Sequence, residues 1–543
     1  MRKSQKKKML SLFSLCESEL QMCGADCAAH LNNIETHLHQ MQKLALGEKE
    51  SLNGLLDECI SLLMEAKGDG SILNALRQKL EETGLLIERE KVNKKLEVVF
   101  FPYKVAMSDS LKTIYLAAKE DPSCDAYWCP IPYYDRNADH SLGKMYYEGD
   151  NYSEEFEITN WQEYDVENRR PDIIFTHYAY DECNYVTTIH PLYYSSRLKN
   201  FTNLLVYIDY GLTMWVWRRL PKEWSEVGYF TPAYWNSDLI VTYSKEFANV
   251  LALHMKWIGK LNDEASKRAA SKIVPLGSAK FDVVLRAKRE DFAMPKEWRD
   301  IINGRRIVLY NTSLHGLLKE SGVFLKEIIE VIEAALKNED VVLWWRPHPL
   351  MENTLRTMRP ELVRGIHEIV ETFKEQKWGI YDETDDLHRA ISWSDACLTN
   401  ESSLAWLYLA SGKPFTVLND NWRLQSPQFD EGADFTAPLR CRIDNMRAGS
   451  GANPYPDKEE WNWCVWWPNF STEDYLHNIH YNHFLDRFFH FVVHREAYPE
   501  AEEYQKLQLQ ILHDFVENPN GTAGEKIYDF CRQRAMLKTG NMM

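Results

Sequence analysis

Short apolar runs that stop abruptly at polar residues, with helical stretches between them, recur through the middle of this chain. They constrain its fold more than any other feature. LEVVFFPYK (Leu96 to Lys104), DIIFTH (Asp172 to His177), LLVYID (Leu204 to Asp209), DLIVTYS (Asp238 to Ser244) and KIVPLG (Lys272 to Gly277) form one series. RIVLYNTS (Arg306 to Ser313), VVLWWRPHP (Val341 to Pro349), GIYD (Gly379 to Asp382), ACLTN (Ala396 to Asn400) and PFTVLN (Pro414 to Asn419) form a second. A strand that is apolar on both of its faces belongs to a parallel sheet covered on both sides by helices. Two such series predict an α/β chain with two Rossmann-type doubly wound sheets. Ligands of such sheets sit beyond the carboxyl ends of the strands.

The domain reading follows. Residues 1–95 lack proline and carry apolar residues at helical spacing, as in Leu55, Leu56, Ile60 and Leu63, with a break at Gly68-Asp69-Gly70. They predict a helical module, a hairpin or coiled-coil pair suited to self-association as a homo-oligomer. Residues 96–295 are expected to form the first Rossmann-like, acceptor domain and residues 296–425 the second, donor-nucleotide domain. Residues 426–543 read as a helical extension that crosses back onto the first domain.

Composition excludes several classes. The net charge of −17 opposes nucleic acid as a partner, because phosphate neutralisation needs a basic face. No run of about 18 apolar residues exists, so no membrane-spanning helix is expected. The basic start, Arg2, Lys3, Lys6, Lys7 and Lys8, reads as a solvated tail, or as a weak contact with an anionic membrane surface. The expected location is cytoplasmic, peripheral at the inner face of the membrane. The 11 scattered cysteines read as free thiols rather than a disulfide frame or metal site. No metal site and no cofactor is called for. GxGxxG, GxxxxGK[ST], HExxH and GxSxG are all absent, which removes the usual fingerprints of dinucleotide enzymes, P-loop NTPases, zincins and α/β-hydrolases.

Candidate chemistry lies at strand ends of the second series. Arg346 offers a planar fork suited to phosphate oxygens, and His348, mounted between Pro347 and Pro349, a catalytic donor or proton shuttle. Ser402 and Ser403 fall at the start of a helix, where backbone N–H groups attract an anion. Thr312 joins them for a diphosphate, and Asn311 and Glu401 for the nucleotide. Of Asp382, Asp385 and Asp386, Asp385 is expected to cap a helix. The acceptor side needs a base, for which Asp181, Asp209 and His177 are candidates. Asp181, in a polar loop with Glu182 and Asn184, is preferred to Asp209, which precedes the bulky Tyr210.

The stretches LYNTS, VVLWWRPHP and DETDDLHRAISWSDACLTNESSLAWLYLASGKP resemble the C-terminal half of the CDP-glycerol glycerophosphotransferases, GT-B enzymes that build teichoic-acid-type polymers. PLGSAKFD (Pro275 to Asp282) is similar to that family's segment between domains. The resemblance covers about residues 96–420 and carries donor-phosphate contacts onto Arg346, His348, Ser402 and Ser403. The family's His-Gly pair, which supplies its base, is replaced here by Tyr210-Gly211. Its Asp-Tyr before the serines is replaced by Asn400-Glu401. The resemblance implies transfer of glycerol phosphate from CDP-glycerol to a membrane-associated glycan or polymer, releasing CMP. A GT-B glycosyltransferase using a nucleotide sugar and a catalytically inactive scaffold of surface-polysaccharide synthesis are the alternatives.

Overall fold

A computed structural model of the 543-residue chain describes residues 3–23, 27–45, 50–67, 70–90, 95–137, 139–184, 186–212, 231–319, 321–400, 402–418, 481–497 and 501–539. It is an α/β protein with two parallel sheets, a GT-B-like arrangement, preceded by a helical module.

The module has four helices, α1 (Lys3–Met22), α2 (Ala28–Ala45), α3 (Glu50–Ala66) and α4 (Leu73–Arg89), where the sequence reading expected a hairpin or coiled-coil pair. Only the break at Gly68 to Gly70 carried a strong turn signal, so the other interruptions went unread. Met9, Leu12, Cys16, Leu31, Leu38, Leu52, Leu56, Leu63, Leu76 and Leu80 face one shared core. Arg2 lies outside the described residues, but from Lys3 on the basic start is not a tail: it lies in α1, and the Lys6 ammonium donates to the carbonyls of Glu88 at 2.7 Å and Glu90 at 3.0 Å. A cation at a helix C-terminus satisfies orphan carbonyls and complements the dipole. The Gln5 side chain donates to the Asn168 carbonyl at 3.2 Å and ties the module to the first sheet domain.

The first sheet runs β2-β1-β5-β7-β8-β9, all parallel, from β1 (Leu96–Phe101), β2 (Cys124–Trp128), β5 (Ile173–Thr176), β7 (Leu204–Ile208), β8 (Leu239–Thr242) and β9 (Ile273–Pro275). Three further strands, β3 (Tyr133–Arg136), β4 (Leu142–Tyr146) and β6 (Thr187–Ile189), form a small antiparallel sheet beside it. The second sheet runs β12-β11-β10-β13-β14, from β10 (Arg306–Thr312), β11 (Val341–Pro347), β12 (Gly379–Tyr381), β13 (Ala396–Asn400) and β14 (Phe415–Leu418). Strand order therefore reverses at β1/β5 in the first sheet and at β10/β13 in the second. Such switch points open the crevice in which doubly wound sheets bind ligands.

The strands are apolar because both faces are covered. Trp344 and Trp345 point to opposite faces of β11, and both are fully buried. Each buried indole finds an acceptor, Asp382 at 3.0 Å for Trp344 and the Thr312 hydroxyl at 3.3 Å for Trp345. The two domains share apolar packing on one side, where Tyr243 and Phe281 of the first meet Trp406 of the second.

The chain then returns to the first domain. The helix Ala523–Thr539 packs on the helix Asp109–Glu120 of that domain. Asp282 receives its N-terminal amides, Ala523 N–H at 3.0 Å and Gly524 N–H at 2.7 Å, together with the Thr113 hydroxyl at 2.9 Å. Gly277 makes the approach possible. Its φ is +95°, and a Cβ there would strike the Glu517 carbonyl. The stretch 419–480 lies outside the described residues, and with it the first part of the 426–543 extension expected from the sequence. Among the described residues, no helix is long and apolar enough to cross a membrane.

Candidate functional site

Polar residues that follow the strand ends of the two sheets meet across the boundary between them, and this seam marks the candidate cleft. One direct bridge is His388, in the helix Leu387–Trp393 of the second domain, whose Nε2 lies 3.0 Å from Asp109 Oδ2 at the start of the helix Asp109–Glu120. Lys280 Nζ stands 3.7 Å from Asp109 Oδ1 and donates to the Tyr210 carbonyl at 3.4 Å. Burial raises the Asp109 carboxyl, but Lys280 and His388 outweigh it and hold the group at about 2. Nearby, His177 ends β5 fully buried, with Nδ1 2.8 Å from the Ser110 hydroxyl. Burial, reinforced by Lys280, brings its pKa down to about 4 despite the opposing pull of Asp109.

Four polar atoms of this seam are buried without a hydrogen-bond partner: Asp109 Oδ1, His177 Nε2, Asp209 Oδ2 and His388 Nδ1. Buried polar atoms are ordinarily paired, and leaving one unpaired costs about 1–3 kcal/mol. Asp209 ends β7. Its Oδ1 accepts from the Gly211 amide at 3.2 Å and the Tyr207 hydroxyl at 3.4 Å, while burial lifts the carboxyl to about 7.

The residues expected from the sequence fall into three groups. The first is His348, which the fold brings to the cleft. Its amide donates to the Thr312 carbonyl at 3.0 Å, and its Nδ1 accepts from the Leu350 amide at 3.1 Å. A ring that accepts at Nδ1 carries its proton on Nε2. Burial, then the charges of Lys104 and Lys280, brings the pKa down to about 4. His348 is therefore a neutral hydrogen-bond donor at neutral pH, not a shuttle poised near 7. The neutral ring's contribution to stability is complete above its ordinary 6.5 and is lost as the pH falls toward about 4. Long-range ¹H–¹⁵N spectra of the histidine rings are expected to show the Nε2–H form of His348 unchanged between about pH 6 and 8. A ring titrating near its ordinary value would contradict this geometry.

The second group is engaged elsewhere, against expectation. Arg346 does not offer a free fork. Nη1 pairs with Asp382 Oδ2 at 2.6 Å, Nη2 donates to the Thr384 carbonyl at 2.6 Å, and the side chain is buried. Asp382 follows the neighbouring strand, and nothing in the local sequence of Arg346 signals the pairing. Asp181, chosen as the base, lies inside the first domain, where Oδ2 accepts from the Ser195 amide and hydroxyl at 2.8 and 2.5 Å, while Oδ1 is buried without a hydrogen bond and burial lifts the carboxyl to about 7. Asn311 ties strands together, donating to the Arg346 carbonyl and accepting from the Thr399 and Ser402 hydroxyls. The Thr312 hydroxyl takes the Trp345 indole. Asp386, not Asp385, caps the helix Leu387–Trp393, accepting from the Arg389 amide at 2.9 Å.

The third group is the serine turn. Its helix, Leu404–Ala410, spans only seven residues and is wholly buried. Ser402 accepts from the Leu404 amide, and Ser403 at the N-cap makes no capping hydrogen bond. Glu401 lies outside the described residues.

No protein-family model matches the chain, and no curated protein matches it. Among solved structures, it is similar to the wall teichoic acid polymerase TagF, with a TM-score of 0.42 and 14% identity over 88% of this chain and 98% of that one. A TagF variant soaked with CDPG gives a TM-score of 0.44 with the same identity and coverage. The UDP-GlcNAc 2-epimerase of Neisseria meningitidis bound to UDP-GlcNAc gives 0.41 at 12% identity, over 81% and 100% of the two chains.

Proposed function

We propose that the chain is a transferase that takes a nucleotide-activated donor into the cleft and passes glycerol phosphate from CDP-glycerol to a hydroxyl of a membrane-associated glycan or polymer. The observation that carries this reading is the row of unpartnered buried atoms on Asp109, His177, Asp209 and His388, between the strand ends of two parallel sheets. A polar substrate would complete their hydrogen bonding. The glycerophosphotransferase resemblance supplies the substrate class.

In this reading the acceptor oxygen bonds to the β-phosphorus as the bond to the CMP oxygen breaks. The proton passes to Asp209 Oδ2; burial lifts Asp181 and Asp209 alike to about 7 and leaves each one oxygen without a hydrogen bond, and Asp209 is preferred because it shares the seam with Lys280. His348 donates its Nε2–H to phosphoryl oxygen as charge develops. Arg346 serves as a positioning residue that holds the loop after β12 against the rim.

A thermal-shift panel of CDP-glycerol, CDP-ribitol, UDP-sugars and CMP tests the reading. A ligand at ~100 Kd adds about 2.7 kcal/mol of stability. CMP and CDP-glycerol are expected to raise the melting temperature. If no nucleotide at millimolar concentration does so, the cleft is not a donor site.

A further inference from the structure

Lys104 stands just past β1, at the first sheet's switch point, and is 9% exposed. A lysine this buried is ordinarily paired with a carboxylate. Among the described residues this ammonium makes no hydrogen bond and no ion pair, and it rides 4.6 Å from the centre of the Tyr133 ring. The surrounding carboxylates are Glu148, Asp135 and Asp385. Two of them are committed to other groups. Glu148 accepts from the Val105 amide at 2.8 Å and the Tyr133 hydroxyl at 2.6 Å. Asp135 accepts from the Tyr146 hydroxyl at 2.7 Å and, across the domain boundary, from the Asn353 amide at 3.5 Å. Asp385, in the second domain, is exposed.

A second cation, Lys280, enters from the helix Ala279–Arg286, 6% exposed and shared between Asp109 and the Tyr210 carbonyl. Both lysines are charge neighbours of His348, whose ring, among the described residues, is hydrogen-bonded at Nδ1 alone. Two cations and a neutral N–H donor thus converge from both domains. Among the described residues no carboxylate pairs with Lys104, and Glu148, Asp135 and Asp385 offset its desolvation only from a distance.

We propose that Lys104, Lys280 and the Nε2–H of His348 form a phosphate subsite on the first domain's side of the cleft, distinct from the site of the nucleotide phosphate. Charge-assisted bonds from ammonium to phosphate oxygen are among the stronger polar contacts, and a lysine binds phosphate as a point charge. Burial lowers the Lys104 pKa, which an arriving dianion would reverse. The subsite deepens the transferase reading only in which phosphate it holds, the one being transferred or one carried by the acceptor. Phosphate binding itself needs neither donor nor turnover.

The test uses the full chain and inorganic phosphate at low ionic strength, followed by ³¹P line broadening and calorimetry. Wild type should bind phosphate, and saturating CMP should leave that affinity unchanged. Lys104→Met should weaken phosphate binding ~10-fold or more while the melting temperature holds or rises, because methionine fills the stem's place without a buried charge. Arg364→Met, which removes an 89% exposed cation, should change nothing. A lysine kept for the fold would instead lower the melting temperature when replaced. Absence of phosphate binding to wild type, or full affinity in Lys104→Met, overturns the subsite. Competition between CMP and phosphate assigns these cations to the nucleotide and overturns it as a separate subsite. A positive phosphate result with no nucleotide response would retain the subsite and reject the donor reading.

Discussion

Replacing Arg346 with alanine is expected to destabilise the second sheet by about 3–5 kcal/mol, the usual effect of removing one partner of a buried ion pair. Asp382 is 1% exposed, and its Oδ2 receives both the Arg346 guanidinium at 2.6 Å and the Trp344 indole at 3.0 Å. Without the guanidinium, a carboxylate remains in the interior with neutral donors only. The Thr384 carbonyl also loses its partner. Replacing both Arg346 and Asp382 with apolar residues should cost much less than the single change, because no buried charge is then stranded. A chain of this length need not unfold in one step, so amide hydrogen exchange along β11 and β12 is the measurement of choice. Exchange in Arg346→Ala no faster than in wild type would show that the pair does not hold this edge of the sheet.

The second large effect falls on catalysis. His348→Ala is expected to lower turnover by ~100-fold or more while CMP affinity stays within a few-fold. The ring is fixed at both ends, by its amide on the Thr312 carbonyl and its Nδ1 on the Leu350 amide, so its Nε2–H meets the developing charge in one geometry. Because the ring is already neutral well below pH 7, the wild-type pH profile between about pH 6 and 8 should show the ionisation of Asp209 and none from His348. The assay is single-turnover transfer from labelled CDP-glycerol. Near-normal turnover in the variant would remove His348 from the mechanism.

These two residues show what the sequence could and could not disclose. VVLWW followed by Arg-Pro-His-Pro is legible as a buried strand ending at a polar rim, because an unbroken apolar run has no solvent face. The antiparallel strands β3 and β4 were not legible, since Tyr133–Arg136 and Leu142–Tyr146 mix polar and apolar residues on a partly exposed sheet. His348 was legible as a residue of the rim because the two prolines and the strand end are local facts. The engagement of Arg346 was not local, since its partner lies 36 residues on, at the end of the next strand in the sheet. The His388–Asp109 bridge spans 279 residues, and each member read alone is an ordinary polar residue at a helix start. Asp181 and Asp209 illustrate the same limit. Each has one oxygen engaged, Asp181 by Ser195 and Asp209 by Tyr207 and Gly211, and one free; what separates them is the nearness of Lys280 to Asp209, which no local sequence feature announces.

The clasp between Asp282 and the helix Ala523–Thr539 sets an order of events in the making of the protein. Domains usually complete themselves from the N-terminal end as synthesis proceeds. Here the described strands of the second sheet are made by Leu418 and the helix Tyr481–Val493 completes its core, whereas the first still awaits a helix that emerges more than a hundred residues after Leu418. Until then Thr113 and the buried carboxylate of Asp282 lack their closing layer, and the face of the helix Asp109–Glu120 that receives Ile527 and Cys531 stays wet. The domain translated first is therefore the one finished last. Damage near the end of the described chain is felt at the beginning of the sheet array, on the side of the cleft that carries Asp109, His177 and Lys104.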